Sequence, residues 1–247
     1  MLIRLDKYLA DMGVGTRSEV KSYIRKGFVL VDDLVVKKPE QKIDSDKQVV
    51  VCKGSRVAYE AFEYWMLNKP AGVVSATEDS RDRTVLDLIK GYGRKDLFPV
   101  GRLDKDTEGL LLLTNDGGLA HELLSPKKHV DKVYFARIDG VVSLEDVESF
   151  ARGVVIDEEF TALPASLRIL EVDREQGVSE IEVTIHEGKF HQVKRMFEAV
   201  GKKVVYLKRL SMGCLELDES LSLGEFRRLT DREIEALKAG SYNQPMQ

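Results

Sequence analysis

Apolar residues recur along the chain in helical, alternating and continuous patterns, and most of the predicted elements follow from them. Leu5, Leu9 and Met12 repeat at helical spacing, and Gly13 stops the pattern. Thr16-Arg17-Ser18-Glu19 has the form of a capping box, so a second helix is expected to run to about Lys26. Val20 and Ile24 would face inward, and Gly27 would supply a left-handed cap. Phe28–Val31 and Leu34–Val36 read as two strands joined by a tight turn at Asp32-Asp33, and Val49–Val51 as a third. From Cys52 to Glu63 the pattern lapses, which reads as a linker, before Tyr64–Leu67 begins a new core.

Further on, Thr84-Val85-Leu86-Asp87 opens a short helix by the same capping logic. Leu110–Leu113 is a short apolar run ahead of the turn Asn115-Asp116-Gly117-Gly118, the signature of a buried strand. A helix over 118–124 cannot continue far past Pro126. Lys132–Ile138 alternates as a strand with Lys132, Tyr134 and Ala136 on one face. Strands are expected again over 166–170 and 180–186, then a helix carrying Phe190, Val193, Met196, Phe197 and Val200 and ended by Gly201. That spacing pushes Lys194 and Arg195 off the apolar face. Val204–Leu207 and a helix capped by Thr230 with Glu233 close the fold, and 241–247 is expected to fray.

Composition adds bounds. With 43% hydrophobic and 32% charged residues, the chain has the balance of a soluble globular protein. No apolar run reaches the eighteen or so residues of a membrane span, and Arg4, Asp6 and Lys7 interrupt any signal-peptide core. Cys52 and Cys214 stand far apart without metal spacing, so reduced thiols in a cytoplasmic protein are expected; a monomer is expected as well. The net charge of −4 conceals an asymmetry. Residues 1–58 hold twelve basic against eight acidic residues, and 186–209 seven against two, whereas 141–182 holds three against eleven. Two basic islands beside an acidic body suit a polyanion bound on one face, with 141–182 lying off its path.

The chemistry is concentrated in Gly101–Gly118, where Asp104, Asp106, Glu108 and Asp116 crowd around the apolar run. A metal reading is available, because Asp-x-Asp can grip Mg²⁺. Asp104-Lys105-Asp106-Thr107 approaches the nucleophile loop of haloacid-dehalogenase-type phosphatases. The threonine stands one place early, however, and Val100-Gly101-Arg102-Leu103 is not the apolar strand that loop requires. No metal is therefore assigned. Asp106 and Glu108 as caps and Asp116 as a turn former account for three of the acids, leaving Asp104. A carboxylate against Leu110–Leu113 would be desolvated unless a cation compensates, and Lys194 is the candidate.

Two resemblances organise these observations. Arg4–Leu9, Thr16–Glu19 and Gly27-Phe28-Val29 resemble the S4 RNA-binding module, with Asp32-Asp33 where that module usually carries Asn-Gly or Asp-Gly. The basic stripe Arg17, Lys21 and Arg25 would then face RNA. Gly101-Arg102-Leu103-Asp104-x-x-Thr107-x-Gly109-Leu110–Leu113-Thr114-Asn115-Asp116-Gly117 resembles the catalytic motif of the RsuA-type pseudouridine synthases. Lys69-Pro70-Ala71-Gly72 with Ser75, Lys132-x-Tyr134, and Glu187-Gly188-Lys189-x-His191–Met196 match that family's other motifs in order.

The resemblance implies an S4-like module over 1–59 and a catalytic domain over 60–240. The class is α+β, with a mostly antiparallel mixed sheet, flanking helices and a basic cleft floored by Asp104. It implies uridine-to-pseudouridine isomerisation without a cofactor. Asp104 would be the essential carboxylate, Tyr134 the aromatic beneath the uracil, and Lys194 the cation that pairs with the carboxylate. Arg102 would fill the gap left by a flipped nucleotide. Lys69, Lys132, Lys189 and Arg195 would be RNA contacts, and Arg195 could share the work of Lys194. Lys194-Arg195-Met196 is similar to the small-subunit branch, which points to uridine 516 of 16S rRNA, free or in an assembly particle. A large-subunit rRNA target is the near alternative. A non-catalytic S4-type RNA-binding protein is the more distant one.

Overall fold

The computed structural model describes residues 1–91 and 94–240, so the tail expected over 241–247 lies outside the described residues. Contacts divide the chain into Met1–Glu63 with the described part of Gly91–Leu97, and Tyr64–Lys90 with Phe98 onward.

In the first unit, β1 (Leu2–Arg4) leads into α1 (Leu5–Asp11) and α2 (Arg17–Arg25), then β2 (Val29–Val31), β3 (Leu34–Val35), β4 (Lys42–Asp44), β5 (Val50–Cys52) and β6 (Ser55–Val57). β1 pairs with β4, while the other strands form an antiparallel sheet in the order β3-β2-β5-β6. Leu5, Leu9, Val20, Ile24, Val29 and Val50 close the core beneath the helices. The capping box forms as expected, with Thr16 and Glu19 each satisfying the other's backbone amide. Asp32 and Asp33 both take positive φ, 50° and 64°. The Asp32 carboxylate accepts from the Val49 amide (2.9 Å) and Gln48 Nε2 (2.7 Å), which offsets the cost of a turn without glycine.

The linker expected between Cys52 and Glu63 is in part a strand. β6 extends the sheet, Tyr8 donates to the Val57 carbonyl at 2.6 Å, and Tyr59 stacks on Tyr8 with ring centroids 5.0 Å apart. Those contacts are long-range, so local composition did not disclose them.

The second unit runs through β7 (Tyr64–Lys69), α3 (Val85–Leu88), β8 (Phe98–Pro99), β9 (Glu108–Thr114), α4 (Gly117–Leu124), β10 (Lys132–Asp139), α5 (Leu144–Arg152), β11 (Ser166–Asp173) and β12 (Val178–Ile185). It continues through α6 (Gln192–Ala199), β13 (Lys203–Met212), β14 (Leu215–Glu216), β15 (Phe226–Arg228) and α7 (Asp231–Lys238). Its sheet has the order β11-β12-β10-β13-β9-β7-β15, with β14 on β13 and β8 on β9. All pairings are antiparallel except β9 with β13, so the α+β class and mostly antiparallel mixed sheet are observed.

One helix expectation needs correction. Phe190 is 75% exposed and precedes α6, which starts at Gln192, so the apolar face begins with Val193. The acidic stretch 141–182 also contains a helix, α5, whose Ser143 amide is capped by the Asp146 carboxylate at 2.7 Å.

β9 and β13 pair at Glu108↔Lys208 and Gly109↔Arg209. Gly109 has φ +100°, and a Cβ there would lie 2.2 Å from the Arg209 carbonyl oxygen. Only glycine allows that approach. Gly109→Ala is expected to destabilise the unit by on the order of 3 kcal/mol, read as a lowered thermal midpoint.

Candidate active site

Asp104 sits on the segment between β8 and β9, and that segment is held from below by one side chain. Lys69, at the end of β7, is fully buried. Its ammonium donates to the carbonyls of Pro70 (3.1 Å), Asp104 (3.0 Å), Lys105 (3.4 Å) and Thr107 (2.8 Å). Burial pulls its pKa down to about 8, which leaves it cationic at neutral pH. Lys69 is thus an internal clamp, and the expectation that it contacts RNA is corrected. Ser75 adds a second restraint: its hydroxyl donates to the Leu103 carbonyl (2.9 Å) and accepts from the Leu103 amide (3.1 Å). The backbone on both sides of Asp104 is therefore fixed by β7 and the turn that follows it.

Lys194, in the first turn of α6, reaches Asp104 Oδ2 at 3.0 Å and Asp106 Oδ1 at 2.6 Å. Burial disfavours the charged Lys194, but its bonds to Asp106 and Asp104 outweigh that and raise its pKa. For Asp106, partial desolvation beside the pocket is likewise outweighed by Lys194, and its carboxyl titrates below the ordinary range. Asp106 is therefore the second arm of an ion triad and not a helix cap. Glu108 is no cap either, since it accepts from the Tyr206 hydroxyl at 2.7 Å. Asp116 does cap α4 through the Leu119 amide, at 3.0 Å.

His191 was part of a matched motif, but its position was not foreseen. Its Nε2 lies 3.6 Å from Asp104 Oδ1. The residue adopts φ 48°, ψ 33° at the start of α6, with Phe190 stacked on its ring. The loop before it is built by its own motif: Gln192 bridges the Lys189 amide (3.0 Å) and Glu187 (2.9 Å). Glu187 in turn accepts from the Leu163 amide at 2.9 Å.

These groups border a pocket whose wall includes Asp104, Tyr134, Lys132, Arg102, Lys189, His191 and Arg209. Tyr134 is buried to 8% exposure and Lys132 to 6%, side by side on one face of β10 as the alternation predicted. Lys132 donates to the Val130 carbonyl (2.8 Å), and burial followed by repulsion from Arg209 brings its pKa down to about 8. Its side chain forms part of the inner wall of the pocket, beside Tyr134. Arg102 and Lys189 are exposed at the pocket.

Arg195 points elsewhere. It pairs with Asp157 and lies against the Phe160 ring, so it does not share Lys194's position. The acidic stretch contributes no residue to the pocket wall, although this loop of it abuts the late motif. Leu110–Leu113 are fully buried within the sheet. The apolar part of the wall comes instead from Leu103, Leu124, Ile185, Val193 and Leu207.

Arg209 was missed from sequence. It is 2% exposed, its Nε donates to the Leu110 carbonyl at 2.8 Å, and its Nη2 has no hydrogen-bond partner. Leaving such a donor unpaired costs about 1–3 kcal/mol. Its signal was only the basic count of 186–209. On the first unit, Arg17 and Arg25 stand exposed on α2 and Lys21 half-exposed, opposite the buried Val20 and Ile24.

A family model described as RNA pseudouridylate synthase matches residues 63–199, and one described as S4 domain matches residues 3–49. The chain belongs to the RNA pseudouridylate synthase family. An uncharacterized RNA pseudouridine synthase of Bacillus subtilis, YtzG, is 50% identical over 95% of this chain and 98% of its own length. The ribosomal large subunit pseudouridine synthase B of Bacillus subtilis is 40% identical, over 96% of each chain. The ribosomal small subunit pseudouridine synthase A of Vibrio cholerae is 39% identical, over 95% of this chain and 99% of its own. A solved pseudouridylate synthase superposes with a TM-score of 0.66 at 37% identity, covering 95% of this chain and 99% of that one.

As a pseudouridine synthase, this protein is an enzyme that isomerises uridine in RNA, joined to an S4 RNA-binding domain. Among the described residues no group of three or more His, Cys, Asp or Glu is placed to hold a metal ion. No described helix is long and apolar enough to cross a membrane.

Proposed function

We propose that this synthase converts one uridine of ribosomal RNA to pseudouridine, at uridine 516 of the small-subunit 16S rRNA, with Asp104 as the reacting carboxylate. The observation that carries the reading is the Asp104–Lys194 pair at 3.0 Å, bordering a pocket with Tyr134 in its wall. A carboxylate held by a cation at the edge of the pocket is positioned to react, and a planar aromatic side chain offers a face for a base. The chain's relatives named for ribosomal subunits support an rRNA substrate. Those names cover both subunits at near-equal identity, so the choice of the small subunit rests on Lys194-Arg195-Met196.

The reaction is balanced in itself. The N1–C1′ bond of uridine breaks, the uracil turns, C5 bonds to C1′, the C5 proton leaves and a proton joins N1. Asp104 holds C1′ while the base is detached. Tyr134 stacks on the base and assists removal of the C5 proton. Lys194 holds the Asp104 carboxylate in place, as a point charge without the bidentate fork of an arginine. Extruding the nucleotide costs a few kcal/mol, and Arg102, exposed at the pocket, offsets part of that by occupying the gap. The S4 domain holds structured rRNA through Arg17, Lys21 and Arg25, and Lys189 adds a contact beside the pocket.

Carbodiimide labelling of 16S and 23S rRNA after incubation with the enzyme, mapped by reverse transcription, tests the target. A new stop at uridine 516 is expected, and a stop only in the large-subunit RNA would overturn the site assignment. Tyr134→Phe keeps the stacking and removes the hydroxyl. It is expected to retain RNA affinity and to slow tritium release from C5-labelled uridine by roughly 10²-fold. An unchanged rate would remove the hydroxyl from the mechanism.

A further inference from the structure

Arg209 and Lys132 are two cations set into the pocket wall beside Tyr134. Tyr134 and Arg209 are register partners on β10 and β13, and Lys132 shares the Tyr134 face two residues away. Like charges are brought together in a protein interior at a cost, and here the guanidinium also keeps Nη2 unpaired. Backbone contacts fix both groups: Arg209 Nε to the Leu110 carbonyl at 2.8 Å and Lys132 Nζ to the Val130 carbonyl at 2.8 Å. A preorganised pair of cations of this kind suits an anion that exists only while something is bound.

Two anions come with an RNA substrate, the phosphates and the charge that develops on the base. Depth separates them. Arg209 and Lys132 are 2% and 6% exposed, whereas the exposed cations at the pocket are Arg102 and Lys189. Phosphates stay with the strand outside, and the part of a flipped nucleotide that reaches an inner wall is its base.

We propose that Arg209 and Lys132 form the seat that stabilises the detached uracil as an anion, which makes Arg209 a further catalytic residue. This rests on the reading of Asp104 given above. As the N1–C1′ bond breaks, its electron pair passes to the uracil and spreads over N1, O2 and O4. A carboxylate oxygen of Asp104 bonds to C1′. After the ring turns, the electron pair of C5 forms the new bond to C1′ and the Asp104 oxygen leaves with its own pair. The C5 proton is then lost and N1 is protonated. The two cations lower the energy of the separated state, in which the base carries negative charge and is held only by the pocket.

The test is single-turnover conversion at saturating 16S rRNA, transcribed with either uridine or 5-fluorouridine. The fluorinated base leaves as a weaker base and depends less on outside stabilisation. For 5-fluorouridine the readout is disappearance of that nucleoside from digests. Arg209→Gln and Lys132→Met are expected to slow the uridine reaction by about 10²–10³-fold with the RNA Kd within about twofold. The slowing should shrink by roughly 10-fold or more on 5-fluorouridine, and Arg209→Lys should recover much of the rate. A raised Kd with an intact saturated rate would make the pair a phosphate holder and overturn the proposal. Equal slowing of both substrates with a lowered thermal midpoint would make it structural and overturn it as well. If Arg209→Gln does not fold, Lys132→Met carries the same comparison. A wild-type enzyme that converts no rRNA uridine would instead overturn the underlying reading of Asp104.

Discussion

Asp104→Asn is expected to stop tritium release from C5-labelled uridine in rRNA, a loss on the order of 10⁴-fold or more. The substitution keeps the size of the side chain and removes the charge that faces Lys194 at 3.0 Å. An amide is a poor nucleophile toward C1′, and it cannot return as a stable leaving group when C5 closes the new bond. Lys194 would keep Asp106 as its partner at 2.6 Å, so the local fold should survive and RNA affinity should stay within a few-fold of wild type. Residual release near the wild-type rate would place the chemistry on another group. Asp106 is the nearest candidate, and Asp106→Asn is therefore the control. That variant is expected to remain active, because Asp106 has a 73% exposed side chain and is absent from the pocket wall.

The second large effect is expected for Lys69→Met. The methionine approximates the shape of the stem and abandons four carbonyl oxygens, three of them on the segment Asp104–Thr107. A hydrogen bond to a charged donor is worth about 1.5–3 kcal/mol, and the stranded carbonyls add a desolvation cost. A destabilisation of about 3 kcal/mol or more is expected in denaturant unfolding. Activity should fall further than the loss of folded protein explains, because a misplacement of about 1 Å at a reacting group costs on the order of 10²-fold. Retained structure with full activity would show that Ser75 and the β9 pairing hold Asp104 without the lysine.

Local signals carried much of the fold. Thr16 with Glu19, Thr84 with Asp87 and Thr230 with Glu233 each form the reciprocal cap that their spacing predicts, since donor and acceptor lie within one turn. The alternation of Lys132–Ile138 placed Lys132, Tyr134 and Ala136 on one buried face. Ser143 and Asp146 share the spacing of those caps, and the Asp146 carboxylate accepts from the Ser143 amide at 2.7 Å. What stayed illegible depends on contacts across tens of residues. Lys69 looked like a basic residue in a turn until the chain between β8 and β9 wrapped its carbonyls around the ammonium. Asp106 looked like a cap because its partner, Lys194, lies 88 positions downstream. Arg209 carried no motif of its own, and its place beside Tyr134 follows only from the β10–β13 register.

Nucleoside chromatography of ribosomal RNA digested after incubation with the purified enzyme tests the central claim most directly. The rRNA should come from cells lacking the corresponding gene. Wild-type enzyme is expected to convert one uridine per 16S rRNA molecule to pseudouridine at constant mass, and Asp104→Asn none. Absence of new pseudouridine in small- and large-subunit RNA alike, free or assembled with ribosomal proteins, would contradict it.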